Sequence, residues 1–88
     1  MLEIKGSVAV ITGGGGGIGL EIGKYWVRHG GRVVIADIAQ SFLDNAESQL
    51  KEMGGEVATV VCDVTKEEDN ALLADTAIAR FGQINLVA

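Results

Sequence analysis

Apolar residues fall into two patterns that alternate along the chain. Short runs with no polar interruption cover residues 8–11 and 33–36, a third covers 57–62 with Thr59 as its one polar residue, and a fourth begins at Ile84-Asn85-Leu86-Val87. An apolar run without alternation is a strand covered on both faces, as in a parallel sheet. The first strand is therefore expected over residues 7–12, after a short polar lead-in. The second covers 32–36 and ends on Asp37, and the third covers 57–62. Between these runs the spacing lengthens to that of a helix. Ile18, Ile22, Tyr25, Trp26 and His29 share one face, with Glu21, Lys24 and Arg28 mostly on the other. That stripe predicts a helix over 18–29, stopped by Gly30-Gly31. A second helix is expected from Ser41, whose hydroxyl can cap it, with Asp44 favouring the dipole. Phe42, Leu43, Ala46, Leu50 and Met53 form its apolar stripe, and Gly54-Gly55 its stop. Thr65-Lys66-Glu67-Glu68 reads as a capping box that opens a third helix to about Phe81. Leu73, Ala77 and Phe81 lie on one of its faces, and Gly82 follows. Strands alternating with helices predict an α/β fold with a parallel sheet.

The junction between the first strand and the first helix carries the chemistry. It reads Thr12-Gly13-Gly14-Gly15-Gly16-Gly17-Ile18-Gly19. The first N–H groups of a helix lack intrahelical partners, and the dipole places partial positive charge there. Glycine lets the backbone turn sharply and lets a pyrophosphate approach without meeting a Cβ. Gly13 suits the turn, Gly17 the contact with the ligand, and Gly19 close packing of helix on strand. A Walker-type loop would need Lys and Ser or Thr after its last glycine, and here Leu20 and Glu21 follow. Asp37 stands at the end of the second strand, about 20 residues past the glycine turn, where a ribose hydroxyl would be held. Its carboxylate can accept from both adenosine ribose hydroxyls and would repel a 2′-phosphate. No Lys or Arg in the turn or just after Asp37 offsets that repulsion, so NAD is preferred over NADP.

The pattern T-G-x-x-x-G-x-G, met by Thr12, Gly13, Gly17 and Gly19, resembles the first glycine motif of the short-chain dehydrogenase/reductase family. The likeness covers essentially the whole chain. It implies a Rossmann-like doubly wound parallel sheet, of which this chain is the N-terminal half, with strand order 3-2-1-4. One dinucleotide-binding domain would span residues 1–88, broken off within or after the fourth strand. Right-handed crossovers would put the third helix on the face opposite the first two, and the cofactor crevice between strands 1 and 4. In the family a strand-end Asp and the next residue read adenine, through the carboxylate and a backbone N–H. Asp63 and Val64 match those positions, and Ile38 is a candidate wall for the ring. The implied cofactor-binding set is Thr12, Gly13, Gly16, Gly17, Ile18, Gly19, Asp37, Ile38, Asp63 and Val64. The family moves hydride between nicotinamide and an alcohol or ketone, using the Tyr of a Tyr-x-x-x-Lys pair with Lys, Ser and Asn. None of those four can be placed here. Tyr25 is followed four residues later by His29, and Ala88 stands where the first asparagine of a lining segment is expected. Asn85 departs from the aspartate often found on that strand. The chain alone is therefore expected to be inactive, and the parent polypeptide to be an NAD-dependent oxidoreductase.

Composition narrows the classes further. A net charge of −5 over 88 residues argues against nucleic acid or an anionic membrane as partner. The single cysteine, Cys62, cannot form an internal disulfide, which fits a reducing cytoplasm, and it reads as a small buried hydrophobe. No apolar run approaches a membrane span, and no signal peptide precedes the first strand. His29 reads as a surface histidine at a helix end, and Glu67, Glu68 and Asp69 as a solvated first turn without a metal. Two alternatives stay open: a stand-alone dinucleotide-binding or assembly module, and a fragment of an S-adenosylmethionine methyltransferase. The latter also places a glycine turn after strand 1 and an acid after strand 2. An open edge at strand 4 beside an uncovered apolar face predicts homo-oligomerisation.

Overall fold

The apolar run that follows Ser7 becomes an interior strand of the sheet. In the computed structural model, which describes residues 3–13 and 16–88, Val8, Ala9, Val10 and Ile11 are all buried. They belong to β1 (Val8–Thr12), followed by α1 (Gly17–Arg28), β2 (Arg32–Asp37), α2 (Gln40–Glu52), β3 (Val57–Val61), α3 (Glu67–Phe81) and β4 (Leu86–Val87). The four strands form one sheet in the order β3-β2-β1-β4, and all the pairings are parallel. This is the doubly wound order expected.

Successive side chains of a strand point to opposite faces, so each strand feeds two cores. Ala9, Ile11, Val33, Ile35 and Val57 meet Leu20, Trp26 and Val27 of α1 and Leu43, Ala46 and Leu50 of α2. Val8, Val10, Val34, Ala36, Ala58 and Val60 meet Leu73 and Ala77 of α3 on the other side. The third helix thus covers the face opposite the first two.

Three local readings change. The apolar stripe proposed for α1 packs only in part: its members Trp26, which is buried, and Ile22, which is half-buried, meet the core together with Leu20, Gly23 and Val27, while Ile18 is 81% and Tyr25 51% exposed. The reason lies at Gly23, which counts as nothing in a hydrophobic pattern. A Cβ built there would stand 3.4 Å from Leu50 Cδ1 and 3.5 Å from Ile35 Cδ1, so this turn of the helix rests on the sheet. On α2, Phe42 and Met53 are likewise exposed, and only the middle of the expected stripe is buried. Neither expected side-chain cap forms. The N-cap of α2 is Ala39, with Ser41 already inside the helix, and Asp44 lies beyond the first turn, accepting from Gln40 Nε2 at 2.9 Å. The N-cap of α3 is Lys66, and the Thr65 hydroxyl, instead of accepting from a helix N–H, donates to the Asp63 carboxylate. The stops are as expected. Gly31 N–H bonds Trp26 O and Gly30 N–H bonds Val27 O, a Schellman pair that recurs at Gly55 and Gly54.

The fourth strand is tied to the first beyond its two paired residues. Asn85 Oδ1 accepts the Val8 N–H at 2.8 Å, and Asn85 N–H reaches Val8 O. At the other end Thr12 gives both its N–H (2.8 Å) and its hydroxyl (3.0 Å) to Ala88 O.

Candidate functional site

Parallel strands in register end along one edge, and here that edge collects the strand-end residues. Thr12 pairs with Ala36, and Asp37 with Val61, so Gly13, Asp37 and the Cys62-Asp63-Val64 segment lie side by side. Together with Ile38 they line a crevice of about 210 Å³. Ile38 is 68% and Val64 51% exposed, two apolar side chains left largely open to solvent beside the crevice they line.

The glycine turn enters this edge from β1. Gly13 and Gly17 have φ of +64° and +53°, values that a Cβ would strain, and open space stands where each Cβ would be. Gly16 is the N-cap of α1 in extended conformation, and the helix begins at Gly17, one residue earlier than its apolar spacing suggests. Ile18 and Gly19 follow in the first turn, the former exposed and the latter half-buried. Gly14 and Gly15 of the run lie outside the described residues. No side chain caps this helix start, and no acid lies in its first turn. The first N–H groups of a helix lack intrahelical partners and carry the positive end of its dipole, so this end offers donors that no side chain of the described residues takes up.

The two carboxylates are held differently. Asp37 Oδ1 accepts the Ala39 N–H at 3.0 Å, which sets the entry to α2. Its second oxygen has no partner among the described residues, and it forms no ion pair there. Asp63 Oδ1 accepts both the hydroxyl (2.6 Å) and the N–H (3.0 Å) of Thr65. These two bonds, the hydroxyl first, hold the Asp63 carboxyl below the ordinary aspartate range against an opposing desolvation, with the Lys66 charge adding a lesser pull in the same direction. Cys62 is buried, and burial, followed by the charges of Asp69 and Asp63, pushes its thiol up, so it is a poor nucleophile.

Three residues with roles here escape a reading of the sequence. Thr65 was expected to cap α3 and instead fixes Asp63. Asp69, expected as part of a solvated turn, accepts the Asp63 N–H on Oδ2 at 2.9 Å, and Asn70 Nδ2 donates to Val64 O at 2.9 Å. All three contacts span a reversal of the chain between β3 and α3, which residue spacing alone does not encode.

A larger, wide-open depression of about 630 Å³ lies on α1, lined by Gly17, Ile18, Glu21, Ile22, Tyr25 and Trp26. It starts at the glycine turn but runs along the helix and holds one ionisable carboxylate. The smaller crevice, with two strand-end carboxylates and apolar walls, is the chemically specific one. His29 is exposed and bonds through Nδ1 to Tyr25 O at 2.8 Å, a helix-end contact remote from both strand-end acids in the fold. Among the described residues there is no cluster of His, Cys, Asp and Glu able to hold a metal, and no helix long and apolar enough to cross a membrane.

Comparison with known proteins agrees with this geometry. The family profile described as short chain dehydrogenase matches residues 7–88. Momilactone A synthase of Oryza sativa subsp. japonica is 43% identical over 86 residues, covering 97% of this chain and 30% of that protein. Among solved structures, a short chain dehydrogenase/reductase from Burkholderia phymatum in complex with NAD superposes with a TM-score of 0.96. It is 36% identical, covering 99% of this chain and 31% of its own. NAD+-bound xylitol dehydrogenase superposes with a TM-score of 0.92 at 32% identity, covering 98% and 33%. The chain thus spans about a third of the length of the proteins it matches. The methyltransferase alternative finds no support in these likenesses. The family profile matches almost the whole chain, the solved relatives share its fold, and the chain belongs to the short-chain dehydrogenase/reductase family, as part of its N-terminal region.

Proposed function

We propose that this chain is the NAD(H)-binding part of an oxidoreductase that moves hydride between nicotinamide and an alcohol or ketone. The observation that carries the reading is Asp37: a carboxylate with one unpartnered oxygen among the described residues, level with the glycine turn, in one crevice with Asp63, Ile38 and Val64. The residues suit a dinucleotide. Gly13 and Gly17 leave open the space that side chains would fill, and the α1 N-terminus supplies donors for a pyrophosphate. Thr12, Gly13, Gly16, Gly17, Ile18 and Gly19 would hold the phosphates and their surroundings. Asp37 would hold the adenosine ribose. Asp63 would accept from the adenine amine and Val64 N–H would donate to a ring nitrogen, with Ile38 and Val64 as apolar walls. When bound, the cofactor supplies the hydride or accepts it.

Asp37 makes the site selective for NAD over NADP. Two like charges a few ångströms apart cost on the order of 1–4 kcal/mol between water and an intermediate dielectric, and no cation in the turn offsets this. Proton transfer to the substrate belongs to a longer chain, because these 88 residues hold no Tyr-x-x-x-Lys pair. That same fact favours a second reading, a non-catalytic dinucleotide-binding or assembly module that pairs with copies of itself. The free, buried thiol of Cys62 accords with the cytoplasm as its setting. Calorimetric titration of the purified 88-residue chain with NAD+ and NADP+ tests the reading. Tighter binding of NAD+ with no turnover of alcohols or ketones supports it. Equal affinity for the two would overturn the cofactor choice, and absence of binding to either would overturn the site.

A further inference from the structure

The dipeptide Asp63-Val64 leaves β3 in a loop with no ladder to hold it, yet its backbone is held on both sides. Asp69 Oδ2 accepts the Asp63 N–H at 2.9 Å. Asn70 Nδ2 donates to Val64 O at 2.9 Å. The Cys62 thiol, one residue earlier, points its hydrogen to Asp69 O at 3.6 Å. Two adjacent residues in the first turn of α3 thus hold three consecutive residues of the crevice wall. Asp69 is half-buried and Asn70 exposed, and the helix that carries them is anchored through Leu73 and Ala77 in the core.

What this clamp leaves free is informative. Asp63 Oδ1 is taken by Thr65, so Oδ2 remains as the open acceptor. Val64 N–H has no acceptor among the described residues, whereas the N–H before it and the C=O of the same residue are both engaged. One carboxylate oxygen and one backbone donor thus remain unengaged on two consecutive residues of the crevice wall that Ile38 also lines. An acceptor beside a donor is complementary to the amine and adjacent ring nitrogen of adenine. It is mismatched to hypoxanthine, which presents a carbonyl and a ring N–H at the same two places.

We infer that Asp69 and Asn70 are positioning residues that hold the Asp63 acceptor and the Val64 donor in the register required to select adenine. The inference rests on the dinucleotide reading above. Neither side chain touches the base. They act by removing the freedom of a loop that would otherwise order only on binding, at a cost in affinity for the correct base alone.

The test uses the 88-residue chain with two probes, NAD+ and its hypoxanthine analogue (nicotinamide hypoxanthine dinucleotide), and reads the ratio of their dissociation constants. The unmodified chain is expected to prefer NAD+ by about tenfold, the scale of a hydrogen bond to a charged group together with a mismatch. Asp69→Ala should bring the ratio close to one by weakening NAD+ and leaving the analogue unchanged. Asp69→Asn keeps an oxygen acceptor for the Asp63 N–H and should restore most of the preference. Asn70→Ala, at an exposed position, should lower the ratio partway, and it carries the test if Asp69→Ala does not fold. A ratio that survives in Asp69→Ala and Asn70→Ala overturns the inference. So does an equal loss for both probes, which marks a merely structural role. If the unmodified chain binds both probes equally, Asp63 and Val64 do not read adenine and the clamp has nothing to position. If it binds neither, the dinucleotide reading itself fails, and the inference falls with it.

Discussion

The indole edge of Trp26 occupies the place where a Cβ of Gly31 would stand: a Cβ built there overlaps Cδ1 and lies 2.6 Å from Nε1. The ring cannot swing away freely, because it is buried and its Nε1–H donates to Ser7 O at 3.3 Å. The turn from α1 into β2 is thereby locked to the strand that precedes the glycine turn.

Gly31→Ala should therefore destabilise the chain by about 1–3 kcal/mol, the usual cost of overfilling a packed site. Gly23→Ala is the control. Its Cβ would meet only the flexible ends of Leu50, Ile35 and Ile11 at 3.4–3.7 Å, ordinary contact distances. Alanine also gains about 0.8–1 kcal/mol of helix propensity. Gly23→Ala should be neutral to stabilising by up to about 1 kcal/mol. Urea unfolding followed by circular dichroism distinguishes the two, and a large loss in Gly23→Ala would show that α1 sits closer to the sheet than these distances say.

Asp37 has two separable duties. Asp37→Asn keeps an oxygen acceptor for the Ala39 N–H and removes the charge. It should narrow the gap between NAD+ and NADP+ with little change in stability. Asp37→Ala should narrow that gap as well, and in addition lose about 0.5–2 kcal/mol as the start of α2 loses its acceptor. Calorimetric binding beside denaturant unfolding reads both effects. An unchanged cofactor ratio in Asp37→Asn would show that the charge is not what discriminates.

The Asp63 carboxyl should titrate below an ordinary aspartate, near 3.9 in the unfolded chain. With the folded value depressed, its contribution to stability is fully present above the unfolded value and is lost as pH falls through the folded one. The window is thus the acid side of about pH 4. Thr65→Val removes the hydroxyl, the largest cause, and keeps the Thr65 N–H, so the carboxyl should rise toward the ordinary value without reaching it. Carboxyl carbon shifts in a pH series measure this. An unmoved titration would assign the depression to the backbone bond and Lys66.

Among the described residues, apolar surface stays uncovered at the sheet edge and on α1. β4 is an edge strand with Val87 66% exposed, and Ile18 and Tyr25 line the open depression on α1. Exposed strand edges and apolar patches pair with other chains. Sedimentation velocity should show association that grows with concentration, reduced by Val87→Lys at the edge and by Ile18→Glu on α1. A concentration-independent monomer that unfolds cooperatively would show that these surfaces are tolerated.

The general plan of the fold was legible because each signal is local. Unbroken apolar runs of strand length demand cover on both faces, and a parallel sheet then places every strand's C-terminal end on one edge. Gly13, Asp37 and Asp63 could be assigned to a common edge for that reason alone, since each simply follows its own strand. The helix stops at Gly30-Gly31, Gly54-Gly55 and Gly82 were legible on the same ground, as backbone bonds within a few residues. Other features depended on parts of the chain that meet only after folding. Which part of the α1 stripe packs is decided by Gly23, whose lack of a side chain matters only because Ile35 and Leu50 stand opposite. The Thr65 hydroxyl had two partners in reach: a first-turn N–H of α3, from which a capping oxygen would accept, and the Asp63 carboxylate, to which it donates. The charged oxygen makes the stronger bond once the loop reverses. Asp69 looks solvated in sequence, and becomes a ligand of the Asp63 N–H because α3 packs back across the sheet and carries it there. Periodicity records which elements form and in what order, and packing alone decides which polar group in a turn meets which.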